Sequence, residues 1–422
     1  MHRGLGAGGL ILARHMEHGK AEWNGIVDRS ALAQWDTVLA RRVGDRNEWW
    51  IGLGREGTSS AGPDWGEQPC FGFAGYDLKN EFEDLSTKHP VQDGFPRSAW
   101  WTPRITVHLA KGMAAYWATP GAGGEARAFL RSFLRAPGPL PPVGPARWTR
   151  TTPRERYLQQ ASTLLQHVHR GDIYEVNYCT RRTALLPELN PYAAFERLVR
   201  YTDAPHAAFL RWGNHFALCA SPERFFRLEQ GRIFTQPMKG TRPRGLGEAE
   251  DRALVEELAA DAKERSENIM ALDVARNDLG RVAVPGSVQV GELCAVKTFP
   301  NVHQMVSSAS ARIRPGATPM QILRATFPMA SMTGAPKVRA MQLIDGTEDM
   351  ARGLYSGTMG FFLPGNTADL NVVIRTITWD AATGEAALLT GGALTAASDP
   401  VLEWEECEHK ARSVLNALGH AC

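Results

Sequence analysis

The sequence predicts an α+β chain, and three observations carry that reading. Period-two runs rich in aromatic and branched residues recur, as at 49–53 (WWIGL), 70–73 (CFGF), 105–109 (ITVHL), 114–117 (AAYW) and 173–180 (IYEVNYCT). Two long stretches, 248–284 and the one after Ser398-Asp399-Pro400, instead carry apolar residues at helical spacing. Residues 209–212 and 215–220 flank Gly213-Asn214, a turn pair that joins antiparallel neighbours.

Bulk properties narrow the function classes. At 422 residues the chain forms two domains or one large one. A net charge of +2 with mixed signs gives no polyanion signal, so nucleic acid is not expected as a partner. The six cysteines are scattered with no CxxC pair, which suggests free thiols in a reducing compartment. The glycine-rich run 4–13 is too short for a membrane span and has no clean cleavage site after it. A cytoplasmic protein without membrane contact is expected.

Taken in order, residues 73–80 read as a turn and 125–134 as a helix. The proline- and glycine-dense stretch 135–145 reads as a linker, dividing the chain into 1–145 and 146–422. Pro153 starts a helix whose apolar positions include Tyr157, Ala161, Leu164 and Val168, ending at Gly171. In the strand that follows, Glu175, Asn177 and Cys179 share a face expected to meet solvent. Glu223 comes directly after a strand end and, on residue type alone, is a turn carboxylate. Residues 327–341 read as a turn leading into a helix, 352–361 as a glycine-spaced strand, 369–376 as a strand and 388–393 as a glycine turn.

The chemistry concentrates around 232–245, RIFTQPMKGTRPRG. Lys239 lies close to Arg242 and Arg244, and neighbouring cations lower an ammonium pKa, making the amine a usable nucleophile. The same residues suit an anion clamp or a basic surface turn. Glu264 and Glu267 share one helical face, and Glu403, Glu406 and Lys410 another. Two such pairs suit Mg²⁺, which prefers carboxylate oxygens, although they also suit a solvated face. Arg375, following an apolar run, calls for an anionic partner.

In their joint order these blocks resemble the chorismate-utilising enzymes. The matching segments are GDIYEVNYCTR, ASPERFF, TQPMKGTRPRG, KERSENIMALDVARNDLGRV, FPMASMTGAPKVRAMQLID, RGLYSGTMGFF, DLNVVIRT and SDPVLEWEECEHKA, covering about 155–415. The resemblance implies layered antiparallel β-sheets with helices outside and an active site between sheets. It implies a divergent N-terminal region, 1–145, and a chorismate-binding catalytic domain, 146–422. Lysine in the PMKGT motif, where anthranilate synthases carry alanine, is similar to the aminodeoxychorismate synthase branch (component I). That branch aminates chorismate at C4 for 4-aminobenzoate and folate synthesis. On this resemblance Lys239 attacks C2 of chorismate and Glu223 is the general acid. Gly240, Thr241, Thr333, Tyr355, Arg375, Gly391, Gly392, Ala393 and Lys410 hold the substrate. Glu267 and Glu406 bind Mg²⁺, with Glu264 and Glu403 supporting them. The alternatives are anthranilate synthase component I and a non-catalytic chorismate-binding protein.

Several positions depart from the family pattern. Gln304 aligns with a common histidine, so His303 is left out of the catalytic set. Ala393 replaces a third glycine, and Glu175 stands where many relatives have glutamine and salicylate-forming ones a lysine base. No LLES-like tryptophan-binding segment is evident, and no glutaminase elbow, so a separate glutamine amidotransferase subunit is the expected ammonia source.

Overall fold

Period-two alternation sorts the strand side chains into two core layers. Val38, Ile51, Phe209 and Leu218 join one cluster with Phe195, Leu198, Val414 and Leu415 from helices. Their strand neighbours Leu39, Trp50, Leu210 and Ala217 point the other way, into a cluster with Phe71, Phe73, Trp101 and Phe361 of a second sheet. Burying each large apolar side chain contributes about 1.5–3 kcal/mol, and the alternation fixes the order of helix, sheet and sheet. These contacts come from a computed structural model describing residues 10–11, 35–43, 46–59, 62–110, 113–133, 141–299 and 302–420.

Among the described residues the larger sheet has 12 strands, the second 9 and a small one 3. The pairings between them are antiparallel, as expected. Strands come from both sides of the proline-rich stretch: Trp35–Val43 pairs with His206–Trp212, and Cys70–Ala74 with Thr358–Leu363. Residues 4–9 and 12–13 of the early glycine-rich run and 135–140 of the linker stretch lie outside the described residues. Five strands and two helices position the site: β1 (Glu175–Leu185), β2 (His215–Ser221), β3 (Met238–Pro243), β4 (Val302–Val306), β5 (Glu385–Thr395), α1 (Ala262–Gly280) and α2 (Pro400–Leu418).

Several local expectations are corrected. The 248–284 pattern is two helices, Glu248–Ala260 and α1, because Asp261 leaves helical geometry and its carboxylate accepts the Glu264 N–H at 3.0 Å. Residues 388–393 are not a turn but the middle of β5, paired with β1 along eleven residues of register. In 352–361 the strand begins only at Thr358, after a turn in which Gly353 has φ +59°. The 369–376 strand stops at Asn371, and Arg375 takes φ +51° before a new strand starts at Thr376. The Glu175 face of β1 is buried rather than solvated.

Candidate active site

Lys239 lies on β3 at a bulge. The register against β4 shifts between Lys239 and Thr241, and Gly240 absorbs the shift at φ +78°. A Cβ at Gly240 would stand 3.0 Å from Glu264 Oε2 and 3.1 Å from Leu258 Cδ1, so the bare backbone lets α1 close on β3. Lys239 Nζ donates to Glu175 Oε1 at 2.7 Å, and both side chains are largely buried. Desolvation opposes the charge on Lys239, but Glu175, Glu267 and Glu223 outweigh it and raise the pKa above the ordinary lysine value.

That direction overturns the expectation of a lowered lysine pKa. The arginines close to Lys239 in sequence are paired with acids instead. Arg242 pairs with Glu257 and Asp261, each at 2.8 Å, and with Glu264 at 3.4 Å, while Arg244 grips Asp251 through two 2.8 Å bonds. His303 is fully buried with both ring nitrogens held at 2.9 Å, by Thr298 and Asp251. Gln304 pairs across β4 and β3 with Thr241.

The helices bring three predicted glutamates against cations. Lys263 Nζ lies 2.7 Å from Glu403 Oε1 and 3.4 Å from Glu267 Oε1, bridging α1 and α2. Lys410 holds Glu406 Oε1 at 2.8 Å and also donates to the Gly391 carbonyl at 2.8 Å. Burial raises the Glu267 carboxyl to about 7 and raises Glu264 and Glu403 as well. Lys410 instead holds Glu406 down, at about 2.

These residues fit a hard cation. Glu403 Oε2 is buried and accepts no hydrogen bond, and Glu267 Oε1 accepts none either and has only the Lys263 ammonium 3.4 Å away, an arrangement that leaves room for a further partner. A Cβ at Gly392 would stand 3.2 Å from Glu403 Oε2 and 3.8 Å from Glu406 Oε2, so β5 leaves both carboxylates clear on that side. Among the described residues no three His, Cys, Asp or Glu side chains converge at metal-ligand spacing; Lys263, Lys410 and Arg242 balance the carboxylates instead.

Near this cluster are groups suited to an anion. Arg375 makes no ion pair among the described residues; its guanidinium donates to Ser413 Oγ at 2.5 Å. Burial lowers its pKa, with Tyr355 and Glu406 opposing. Its left-handed backbone is a strained placement for a side chain of this kind. Glu223 sits between β2 and the next strand, its carboxyl raised to about 7 by burial, with Ser331, Lys239, the Met238 N–H and Lys410 pulling it down. A carboxyl poised near neutrality suits a general acid. Tyr355 is buried beside Cys179, Arg352 and Arg375. Thr333 is fully buried and its hydroxyl donates to the Met329 and Ala330 carbonyls at 3.2 and 3.4 Å, so it shapes the turn.

Four contributors were not foreseen. Glu175 pairs with Lys239 from 64 residues away in sequence. Lys263 had a signal, since it precedes Glu267 by one helical turn. Arg352 and Glu348 form a buried pair at 2.6 Å. Arg352 also donates to the carbonyls of Asn177 and Met332, each at 2.7 Å, joining β1 to the turn before Thr333.

Comparisons with known proteins agree with this architecture. A family model described as chorismate binding enzyme matches residues 20–416. Aminodeoxychorismate synthase component 1 of Salmonella typhimurium is 38% identical over 351 residues, 83% of this chain and 76% of that protein. Anthranilate synthase component 1 of Thermus thermophilus is 35% identical over 359 residues, 82% of this chain and 76% of that protein. Aminodeoxychorismate synthase of Streptomyces griseus is 44% identical over 269 residues, which are 64% of this chain and only 37% of that longer protein. The fold matches anthranilate synthase component I from Streptococcus pneumoniae with a TM-score of 0.72 at 23% identity, over 90% of this chain and 92% of that one.

Proposed function

Since the chain belongs to the chorismate-binding enzymes, we propose that it is an aminodeoxychorismate synthase component I. It converts chorismate and ammonia to 4-amino-4-deoxychorismate, the precursor of 4-aminobenzoate. The observation that carries this reading is Lys239, which occupies the branch-defining position and lies buried among Glu175, Glu223 and Glu267.

The residues divide the work. Arg375, Lys410 and the Gly240-Thr241 backbone bind the substrate's carboxylates and oxygens, with Tyr355 beside them; the Gly391-Gly392-Ala393 segment of β5 offers close backbone approach. Lys239 attacks C2 of the ring, and Glu223 gives its proton to the departing C4 hydroxyl, which leaves as water. Ammonia then adds at C4 and the Lys239 amine departs from C2. Glu267 and Glu406, supported by Glu264 and Glu403, would hold Mg²⁺, which when bound supplies Lewis-acid neutralisation of the ring carboxylate.

Ammonia comes from a separate glutamine amidotransferase subunit. Among the described residues no helix is long and apolar enough to cross a membrane. The five cysteines among the described residues are buried free thiols, which suits a reducing compartment, and the cytoplasm is the proposed setting.

The test is product identity from chorismate, Mg²⁺ and ammonium. Aminodeoxychorismate is expected, with at least about 100-fold less from Lys239→Ala. Fluorescent anthranilate would favour the second reading, anthranilate synthase component I, which the Thermus relative keeps in view. Full glutamine-dependent activity from the chain alone would overturn the separate amidotransferase.

A further inference from the structure

Lys239 cannot act as a nucleophile in the form the structure stabilises. Among the described residues its ammonium has one hydrogen-bond acceptor, Glu175 Oε1 at 2.7 Å, and no lone pair to offer carbon. A proton must leave Nζ before the C2 bond forms. Glu223 and Glu267 add their fields at Lys239, from the loop after β2 and from α1, yet neither is hydrogen-bonded to Nζ. Glu223 is committed to the opposite task, delivering a proton at C4. The remaining charged groups of the pocket are bound to one another: Lys263 to Glu267 and Glu403, Lys410 to Glu406, and Arg242 to Glu264.

Resting on the aminodeoxychorismate synthase reading above, we propose that Glu175 is the catalytic base for Lys239, taking the Nζ proton as the amine attacks and returning it when the amine leaves. Glu175 is 2% exposed, anchored by pairing of its backbone with Ala335 and Thr395 on either side of β1. A carboxylate held that rigidly at hydrogen-bond distance meets the geometric requirement for a base.

The balance closes. One proton passes from Lys239 to Glu175, leaving a neutral amine and a carboxylic acid. The amine lone pair forms the N–C2 bond, and the two ring double bonds shift toward C4. The C4–O bond breaks with its electron pair, and the Glu223 proton completes water. The adduct nitrogen is then a cationic secondary amine. As ammonia bonds to C4 the double bonds shift back and Lys239 leaves neutral. The new C4 ammonium returns a proton to Glu223, and Glu175 returns its own to Lys239.

The arrangement has a kinetic signature. Transfer within the pair leaves its total proton count unchanged, so adduct formation requires no loss of the Lys239 proton to solvent. The Glu223 acid still makes the wild-type rate fall above about 7. In Glu175→Gln the lysine must lose its proton to water, so the rate should climb about tenfold per pH unit on the acid side.

The experiment follows the lysine adduct by intact mass after mixing with chorismate and Mg²⁺ without ammonium, across the acid-to-neutral range. Wild type should be flat below about 7. Glu175→Gln should rise steeply with pH, and Glu175→Asp should be slower but flat, since it keeps a base. Thermal melting identifies any variant that fails to fold; should Glu175→Gln fail, a rising profile in Glu175→Asp overturns the proposal. A wild-type adduct with an equally fast and flat Glu175→Gln profile removes Glu175 from the role and leaves the enzyme reading standing. Wild type that makes aminodeoxychorismate with no adduct refutes Lys239 as nucleophile, and Glu175 with it. Wild type that yields neither adduct nor aminodeoxychorismate refutes the enzyme reading itself.

Discussion

Replacing Arg352 with methionine removes the centre of the buried scaffold beneath the site. Its guanidinium and the Glu348 carboxylate are both essentially inaccessible, joined through contacts of 2.6 and 3.0 Å, and the cation lies 4.5 Å from the Tyr76 ring centroid. Breaking a buried ion pair by deleting one partner costs about 3–5 kcal/mol, because the survivor is an uncompensated charge. Two buried carbonyls, those of Asn177 and Met332, also lose donors at 2.7 Å, and each such orphan costs about 1–3 kcal/mol. These losses overlap, since the turn can relax toward β1 once the tie is cut. Arg352→Met is therefore expected to destabilise by about 4–6 kcal/mol, a large share of ordinary domain stability. The double variant Glu348→Met with Arg352→Met should lose less than the single one, because no lone charge remains. Urea unfolding followed by tryptophan fluorescence measures both. A single variant within about 1 kcal/mol of wild type, or a double variant worse than the single, would refute this account of the pair.

Three other outcomes follow from the geometry. In Gly391→Ala the new Cβ would meet Cys179 Sγ at 2.5 Å and the Tyr178 carbonyl at 2.7 Å, so a loss of about 1–3 kcal/mol in thermal unfolding is expected. Glu223 is raised to about 7 from 4.5, so the folded state binds the extra proton between those values and stability falls as pH rises through that window. The loss is on the order of 3 kcal/mol, and the difference between wild-type and Glu223→Gln unfolding curves against pH should isolate it from Glu267 and Asp278, which titrate nearby. Mg²⁺ at about 100 times its dissociation constant should add about 2.7 kcal/mol to thermal stability, and a shift that persists unchanged in Glu267→Gln would place the ion elsewhere.

What could be read from the sequence was local. The Gly213-Asn214 hairpin, the helix after Pro153 and the helix after Asp399-Pro400 each announce themselves within a few residues, through turn, proline and capping chemistry. The glycines at 391 and 392 did not, because glycine marks both a turn and a strand that another element approaches closely. Here Cys179 and the α2 glutamates decide for the strand. The break at Asp261 was hidden because apolar periodicity runs through it, whereas an aspartate that caps from within a helical pattern carries only a one-residue signal.

The electrostatics of Lys239 were the least legible, and the reason is physical. Charge interactions act through space, whereas the chain offers only sequence neighbours. Arg242 and Arg244 are close in sequence, but each is neutralised by acids on the Glu248–Ala260 helix or at the Asp261 cap. The groups that govern Lys239 come from β1, from the loop after β2 and from α1. A nucleophilic lysine among carboxylates is a contradiction only while its proton has nowhere to go. With a carboxylate held at 2.7 Å, the same field that keeps the resting pair ionic also keeps the proton inside it. The amine is then needed only for the moment of attack, when positive charge reappears on nitrogen as it bonds to carbon. Glu267, and Glu223 as it gives up its proton to the leaving hydroxyl, stabilise that developing cation, so their cost in the resting state is offset at the step where the C2 bond forms.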